Sequence, residues 1–76
     1  MPVYYFNLRA EESAEIDLVG RRCRDAQVAR WEAAARARQV VRARLAREDA
    51  TLNGWIEVED EENRPVLRVP LRAAAC

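Results

Sequence analysis

The sequence predicts an α+β fold in which one long helix packs across one face of a small antiparallel sheet, in the order β-β-α-β-β. Two patterns predict it. Segments near both ends of the chain alternate apolar and polar residues, which is typical of half-buried strands. The stretch between them repeats apolar residues at spacings of three and four, which is typical of a helix. We expect a single domain over residues 1–76, because a chain of this length has room for one small core.

The first two strands are predicted over residues 3–9 and 14–19. In the first strand, large apolar side chains occupy every second position and should share one face of the sheet: Tyr4, Phe6 and Leu8. In the second strand, Ile16 and Leu18 should point inward in the same way. Gly20 is expected to end this strand, because glycine adopts a positive φ without steric cost.

The helix is predicted over residues 25–47. Asp25 is the expected N-cap, because its carboxylate can accept hydrogen bonds from the free N–H groups of the first turn. Glu32 and Arg36 are four residues apart, which predicts an ion pair along the helix. The apolar stripe that should face the sheet consists mainly of alanine: Ala26, Ala29, Ala33, Ala37, Val40 and Val41.

The last two strands are predicted as a hairpin over residues 54–60 and 65–71. Its turn contains polar and charged residues, and apolar side chains alternate on both sides of it. Pro65 and Pro70 lack a backbone donor, which places the final strand at a sheet edge or restricts its length. The tail 72–76 is expected to be frayed. The inward-facing side chains of the hairpin should be Ile56, Val58, Leu67, Val69 and Leu71.

The lengths of the predicted elements favour a homodimer. A helix of about 22 residues is about 33 Å long. A strand of six residues spans only about 20 Å, so the helix should extend beyond its own sheet. A small core offers limited stability, and oligomerisation is one of the usual ways in which small domains gain more.

Composition excludes several classes of function. The chain has no histidine and only two cysteines, Cys23 and Cys76, so we expect no structural zinc site, no metal and no cofactor. With one serine, one threonine and no glycine-rich loop, we expect no catalytic residue and no enzyme. The opening residues form neither a signal peptide nor a membrane span. We therefore expect a cytoplasmic protein that is not bound to a membrane.

The arginine-rich helix is the main candidate for a binding surface. Residues 20–47 carry nine arginines and two acids, whereas residues 48–62 carry seven acids and no basic residue. On a helical projection Arg24, Arg38 and Arg42 fall on one stripe with Trp31, whereas Arg30 and Arg44 fall inside the apolar arc. The stripe either binds a partner or is an ordinary solvated face. Trp31 is either an exposed anchor for a partner or lies at the edge of the core over Gln27 or Leu45.

Two weaker candidates lie elsewhere in the chain. Tyr5 and Trp55 are predicted on the outer face of the sheet, where aromatic rings can stack on bases or contact another protein. Glu57 and Glu59 share that face and would repel a phosphate backbone, which favours a dimer contact or packing at the sheet edge. Cys23 is flanked by arginines that could lower its thiol pKa, although a buried, unreactive thiol is favoured.

Four short motifs in order give the chain a family resemblance. They are the opening Met-Pro-Val-Tyr-Tyr-Phe at 1–6, Asp17 with Gly20, Ala-Arg-Trp-Glu-Ala at 29–33, and a closing hairpin with Val58, Asp60, Glu61, Asn63, Pro70 and Leu71. In this respect the chain resembles a family of short bacterial proteins, of alphaproteobacterial type, known only as a domain of unknown function. The resemblance implies the fold and no particular activity. Asn63 stands where that family usually has glycine, and asparagine also tolerates the left-handed conformation that the turn requires.

The sequence therefore leads to two hypotheses about function. The first is a non-enzymatic interaction module that forms a homodimer and binds an unknown protein partner. The alternative is a nucleic-acid-binding accessory protein that uses the arginine-rich helix. The candidate interaction surface contains six residues: Trp31, Arg24, Arg38, Arg42, Tyr5 and Trp55.

Overall fold

A computed structural model describes residues 1–11, 13–48 and 52–74. Within them the predicted fold class is confirmed, because one long helix lies across a small antiparallel sheet of five strands. A short third strand and a short C-terminal helix extend the predicted order. The elements are β1 (Val3–Ala10), β2 (Ala14–Glu15), β3 (Arg21–Arg22), α1 (Ala26–Ala46), β4 (Gly54–Glu59), β5 (Pro65–Pro70) and α2 (Leu71–Ala74).

The sheet is built around β1 and β4 in the order β2-β1-β4-β5. The very short strands β2 and β3 pair with opposite ends of β1, so they share one edge of the sheet. Phe6 lies opposite Val58, and Val58 lies opposite Leu67, so apolar side chains face the same side across three strands. Strand β5 forms the other edge, as its two prolines predicted.

Helix α1 packs closely on the sheet because its contact stripe is made of small residues. Ala29, Ala33 and Ala37 are fully buried, and Val41 continues the stripe. Larger side chains from the sheet and from α2 fill the remaining core: Phe6, Leu8, Ile56, Val58 and Leu71. The predicted stripe is therefore largely correct. It differs at its two margins, since Ala26 is exposed and Val40 is only partly buried.

The second predicted strand, 14–19, is wrong over most of its length. Only Ala14–Glu15 pairs with β1, and the chain then leaves the sheet in a loop before β3. Ile16 and Leu18, predicted to face inward, are instead exposed. The physical reason is that Asp17 lies between them, and its side chain takes the place of backbone pairing with β1.

The C-terminal segment also differs from the prediction. The last strand ends at Pro70 rather than residue 71, and Leu71 begins α2. The tail 72–76 was expected to be frayed, but residues 72–74 continue helix α2, which begins at Leu71. Leu71 itself is fully buried, as its predicted inward direction requires. Burial of this side chain holds the segment to the domain, and Arg72 donates a hydrogen bond to the side chain of Asn53 at 2.9 Å. Residues 75–76 lie outside the described part of the chain.

Helix α1 and the hairpin turn lie where the sequence placed them, with the helix one residue shorter at each end than the predicted 25–47. Asp25 has an extended backbone, and its carboxylate accepts from the Val28 N–H at 3.0 Å. Helix α1 ends at Ala46, one residue before the predicted end. Asn63 adopts a φ of 62°, the left-handed conformation expected where glycine is more usual.

Replacing Asp25 with alanine should lower the free energy of unfolding by about 1 kcal/mol, because the first turn of α1 loses its side-chain acceptor. Urea denaturation of the two proteins at neutral pH measures the difference. The matched control is Asp25→Ser, which removes the charge and keeps a capping oxygen. It should recover most of the loss, and equal destabilisation of both variants would show that charge, not capping, stabilises this helix end.

Candidate interaction surface

One face of α1 presents apolar and basic side chains to solvent. Trp31, Arg38 and Leu45 follow one another at intervals of seven residues, or nearly two helical turns, so they lie almost in line along the helix. Arg42 lies beside this line, and Arg24 continues it just before the helix begins. All five side chains are exposed. We call this set the α1 stripe: Arg24, Trp31, Arg38, Arg42 and Leu45.

The exposure of Trp31 excludes one of its two alternatives, a place at the edge of the core. Its side chain is 62% exposed, so it is not folded against the core.

The two arginines that the projection placed inside the apolar arc, Arg30 and Arg44, differ from each other in burial. Arg44 is buried and donates to the Ser13 hydroxyl at 3.1 Å, as expected of a cation that must find a polar partner. Arg30, by contrast, is exposed, although the projection places it inside the apolar arc.

Glu32, the acidic residue in the middle of α1, does not neutralise the α1 stripe, because its carboxylate pairs with arginines on another side of the helix. Glu32 pairs with Arg36 at 2.8 Å and with Arg21 at 3.2 Å, on the side of α1 that faces β3. Within residues 1–11, 13–48 and 52–74, Arg38 and Arg42 form no ion pair. The predicted Glu32–Arg36 pair is thus confirmed, and it leaves Arg38 and Arg42 without a neutralising carboxylate in this part of the chain, whereas Arg24 lies 3.9 Å from the carboxylate of Asp25.

Asp17 organises the loop that connects β2 to β3. One carboxylate oxygen accepts from the Phe6 N–H at 3.1 Å, and the other accepts from Val19 and Gly20 at 3.0 Å. Burial raises the pKa of this carboxyl, but these three hydrogen bonds and the nearby Arg36 guanidinium outweigh it, so the pKa lies below its ordinary value of 3.8. The loop is therefore fixed by a partly buried charge.

Gly20 completes the same arrangement. Its φ is +76°, and a Cβ at this position would lie 2.6 Å from Val3 Cγ1 and 2.9 Å from Tyr5 Cε1. Glycine is required here by both backbone conformation and space. The Asp-x-x-Gly motif thus has a structural role, since it joins a loop to the edge of β1.

This fixed loop exposes apolar side chains that the sequence prediction had placed inside. Leu18 and Val19 are 87% and 85% exposed, and the neighbouring Ile16 is also exposed. We call Leu18 and Val19 the apolar tip. Periodicity did not reveal it, because the alternation of Ile16 and Leu18 is the same whether the segment is a strand or a loop.

The outer face of the sheet is largely neutralised within the domain. Arg9 lies between Glu57 and Glu59, at 3.6 Å and 3.8 Å. The Trp55 indole N–H donates to Glu57, and the Arg68 guanidinium lies 4.7 Å from the centre of the indole ring. These contacts pair the charged groups around Trp55 with one another.

The six residues of the predicted surface therefore do not form one site. Trp31, Arg24, Arg38 and Arg42 lie along α1, whereas Tyr5 and Trp55 lie on the opposite side of the sheet. Tyr5 pairs with Glu59 and Trp55 pairs with Arg9, so the two aromatic residues occupy different ends of the β1–β4 ladder. Only the helix residues form a continuous exposed stripe.

The fold shifts the pKa values of Cys23 and Asp60 in opposite directions. Cys23 is almost completely buried, and burial raises the pKa of its thiol, which favours the unreactive form. Asp60 accepts hydrogen bonds from the backbone of Arg64 and Glu62, which lowers its pKa and stabilises the hairpin turn. Within the described residues, no three acidic or cysteine side chains are close enough to hold a metal ion.

The fold and the α1 stripe define a small α+β domain that displays a basic helix face with an exposed tryptophan. The chain belongs to the family described as domain of unknown function DUF6894, whose sequence profile matches residues 3–72. No curated protein and no solved structure matches the chain. In the described part of the chain, no helix combines the length and apolar character needed to span a bilayer.

Proposed function

We propose that the protein is a non-enzymatic interaction module that acts as a homodimer in the cytoplasm and binds a partner protein through the α1 stripe. One observation carries the proposal: Trp31 is exposed beside Arg38 and Arg42, which form no ion pair within the described residues. Tryptophan and arginine dominate the binding energy of protein interfaces. Leaving them exposed in the free protein is consistent with a surface that a partner covers.

The spacing of the stripe supports a helical partner. Residues seven apart recur along the line where one helix contacts another. Trp31 and Leu45 supply apolar anchors near the two ends of this line, and Arg38 and Arg42 lie between them. An amphipathic helix with apolar residues at its ends and carboxylates in its middle would complement this arrangement in both shape and charge.

A second copy of the chain is a poor occupant of the same stripe. Two antiparallel α1 helices related by a two-fold axis at Arg38 would place Trp31 of one copy against Leu45 of the other. They would also place Arg38 against Arg38, with Arg42 close by. Like charges held directly opposite each other are unfavourable, so the stripe favours an acidic partner over itself.

Nucleic acid is the second candidate, because unpaired arginines beside an exposed tryptophan can contact phosphates and stack on a base. Two features weigh against it. Leu45 has no evident role in binding a phosphate backbone. The hairpin turn also carries three consecutive acids, Asp60, Glu61 and Glu62, on a domain whose net charge is zero.

The proposal predicts that the protein binds an acidic amphipathic helix. A suitable probe is a labelled synthetic peptide helix of about three heptads, with leucine at a and d of the first and last heptads and glutamate at a and d of the middle heptad. Fluorescence anisotropy should show binding, and Trp31→Ala should weaken it by about tenfold or more. Arg38→Glu should weaken it further, because it places a carboxylate opposite the acidic probe.

Matched controls separate the stripe from general charge effects. Arg22→Glu makes the same change in net charge at an exposed arginine off the stripe, and it should leave binding nearly unchanged. The same peptide with lysine in place of glutamate should not bind. Mixed-sequence DNA is tested in parallel at two salt concentrations. Binding of DNA that falls steeply with salt, without binding of the acidic peptide, would replace this proposal with the nucleic-acid alternative.

A further inference from the structure

A groove lies between helix α1 and the segment that leads from β2 into the next loop. Its volume is about 410 Å³, which is within the roughly 300–1,000 Å³ typical of pockets that bind small molecules. Core side chains reach its surface at Phe6, Leu8 and Ile56, and Val40 and Ile16 add to this apolar floor. The described residues that line the groove include none of the α1 stripe, so the groove is a separate feature of the fold.

The charged part of the lining already holds one cation against this floor. The Arg36 guanidinium lies 4.5 Å from the centre of the Phe6 ring, donates to Glu32 at 2.8 Å and lies 3.7 Å from Asp17. Glu32 also pairs at 3.2 Å with Arg21, which lies outside the lining. Two arginines thus balance two carboxylates, and a cation packed on an aromatic ring is favourable in this setting.

Glu15 is an acid of the lining that lies outside this network. Its side chain is exposed, and in the described part of the chain it forms no hydrogen bond or ion pair. Of the two arginines that line the adjoining hollow with it, Arg44 donates to Ser13 and Arg47 is exposed, and neither pairs with Glu15. One negative charge therefore remains unbalanced beside the apolar floor, next to the exposed amide of Gln39.

The charge and polarity of the groove distinguish between classes of ligand. An anion would approach three carboxylates, and the guanidinium in the lining is already held by two of them. A wholly apolar ligand would displace water from Glu15 without replacing its hydrogen bonds. A ligand with an apolar body and one ammonium group meets both requirements, because the body covers the floor and the ammonium group supplies a charged donor.

We propose that the groove binds a small monocationic amine, with its apolar body over Phe6, Leu8 and Val40 and its ammonium group paired with Glu15. A single ammonium group matches the single unbalanced carboxylate, and its compact charge needs only one partner. The site uses no residue of the α1 stripe. It is therefore independent of both the partner protein and the homodimer in the proposed function.

Titration of the isotope-labelled full chain with phenethylamine, followed by two-dimensional amide NMR spectra at low salt, tests the site. The amine should shift the amide signals of Glu15, Gln39 and Val40 and saturate with a dissociation constant of about 1 mM or lower. Phenethyl alcohol and phenylpropionate are matched probes, because they keep the aromatic body and change the charge. The alcohol should bind at least about threefold more weakly, and the carboxylate should give no saturable shifts at the groove.

Glu15→Gln should weaken binding of phenethylamine by about threefold or more, because it removes the charge and keeps the shape of the side chain. Glu11→Gln is the matched control, since Glu11 is also exposed but lies outside the groove, and it should leave the affinity unchanged. Gln39→Trp, which narrows the groove from its exposed rim, should weaken the amine and the alcohol alike.

Three results would each overturn the amine site. They are equal affinities for the amine and the alcohol, an equal loss in both glutamate variants, and the absence of saturable shifts at the groove. The acidic-peptide assay reads the α1 stripe, so failure of the amine site and failure of the proposed function are separate observations.

Discussion

Leu71→Ala should lower the free energy of unfolding by about 2–5 kcal/mol, the cost of emptying a buried leucine site. A chain of 76 residues has a total stability of about 4–11 kcal/mol, so this one substitution removes a large part of it. Leu71 is fully buried and joins the C-terminal helix α2 to the core beneath α1. Urea denaturation followed by circular dichroism measures the loss.

The matched control for Leu71 is Leu45→Ala. It makes the same chemical change at an exposed position of α1, where the effect should stay within about 0.5 kcal/mol. The difference between the two variants isolates burial from the chemistry of the substitution. If Leu71→Ala cost no more than Leu45→Ala, α2 would not be part of the folded core.

Features that depend on local chemistry were predictable from the sequence. The helix was predictable from the periodicity of its alanines, and the N-cap role of Asp25 from its position just before that helix. The left-handed conformation of Asn63 was predictable from the tolerance of asparagine for a positive φ. The stripe of Arg24, Arg38 and Arg42 around Trp31 also follows, because helical geometry alone sets those directions. Each of these inferences needs only residues that are near one another in the sequence.

Features that depend on distant contacts were not predictable. Ile16 and Leu18 alternate as in a strand, but Asp17 between them bonds to the backbone of Phe6, eleven residues away. The hydrogen bonds of Asp17 with β1, including the one that its own N–H donates to Asn7 at 2.8 Å, replace regular strand pairing here. Leu71 was correctly predicted to face inward. The sequence could not show that it begins a helix, because a buried residue at the end of a strand and one at the start of a helix look alike in sequence. The exposure of Trp31 likewise required the packed structure, because its angle lies near the core boundary.

The α1 stripe and the apolar tip differ in how the fold creates them. The α1 stripe is basic because Glu32 is drawn to Arg36 and Arg21 on another side of the helix. The apolar tip exists because Asp17 and Gly20 fix the loop that carries Leu18. One contact network therefore links them, since Arg36 also reaches Asp17 at 3.7 Å. Substitutions at Asp17 should therefore change the conformation of the loop that carries Leu18 and Val19, and should alter the α1 stripe only slightly.

Asp17→Ala should accordingly lower the free energy of unfolding by about 2–4 kcal/mol. It removes one charged acceptor from three backbone N–H groups, two of them at least partly buried, and hydrogen bonds to charged groups are worth about 1.5–3 kcal/mol each. Glu15→Ala is the matched control, because this carboxylate is exposed and two residues away. It should change stability by less than about 0.5 kcal/mol.

The pH dependence identifies the charge of Asp17 as the source of that stability. Folding lowers the pKa of this carboxyl below its ordinary value of 3.8, so the stabilisation is fully present above that value and is lost as pH falls through the lower folded pKa. The difference in stability between wild type and Asp17→Ala should therefore be constant near neutral pH and shrink in acid. Asp60, whose pKa is also lowered, titrates in both proteins and cancels from the comparison. A difference that persisted unchanged at low pH would mean that the shape of the Asp17 side chain, and not its charge, holds the loop against β1.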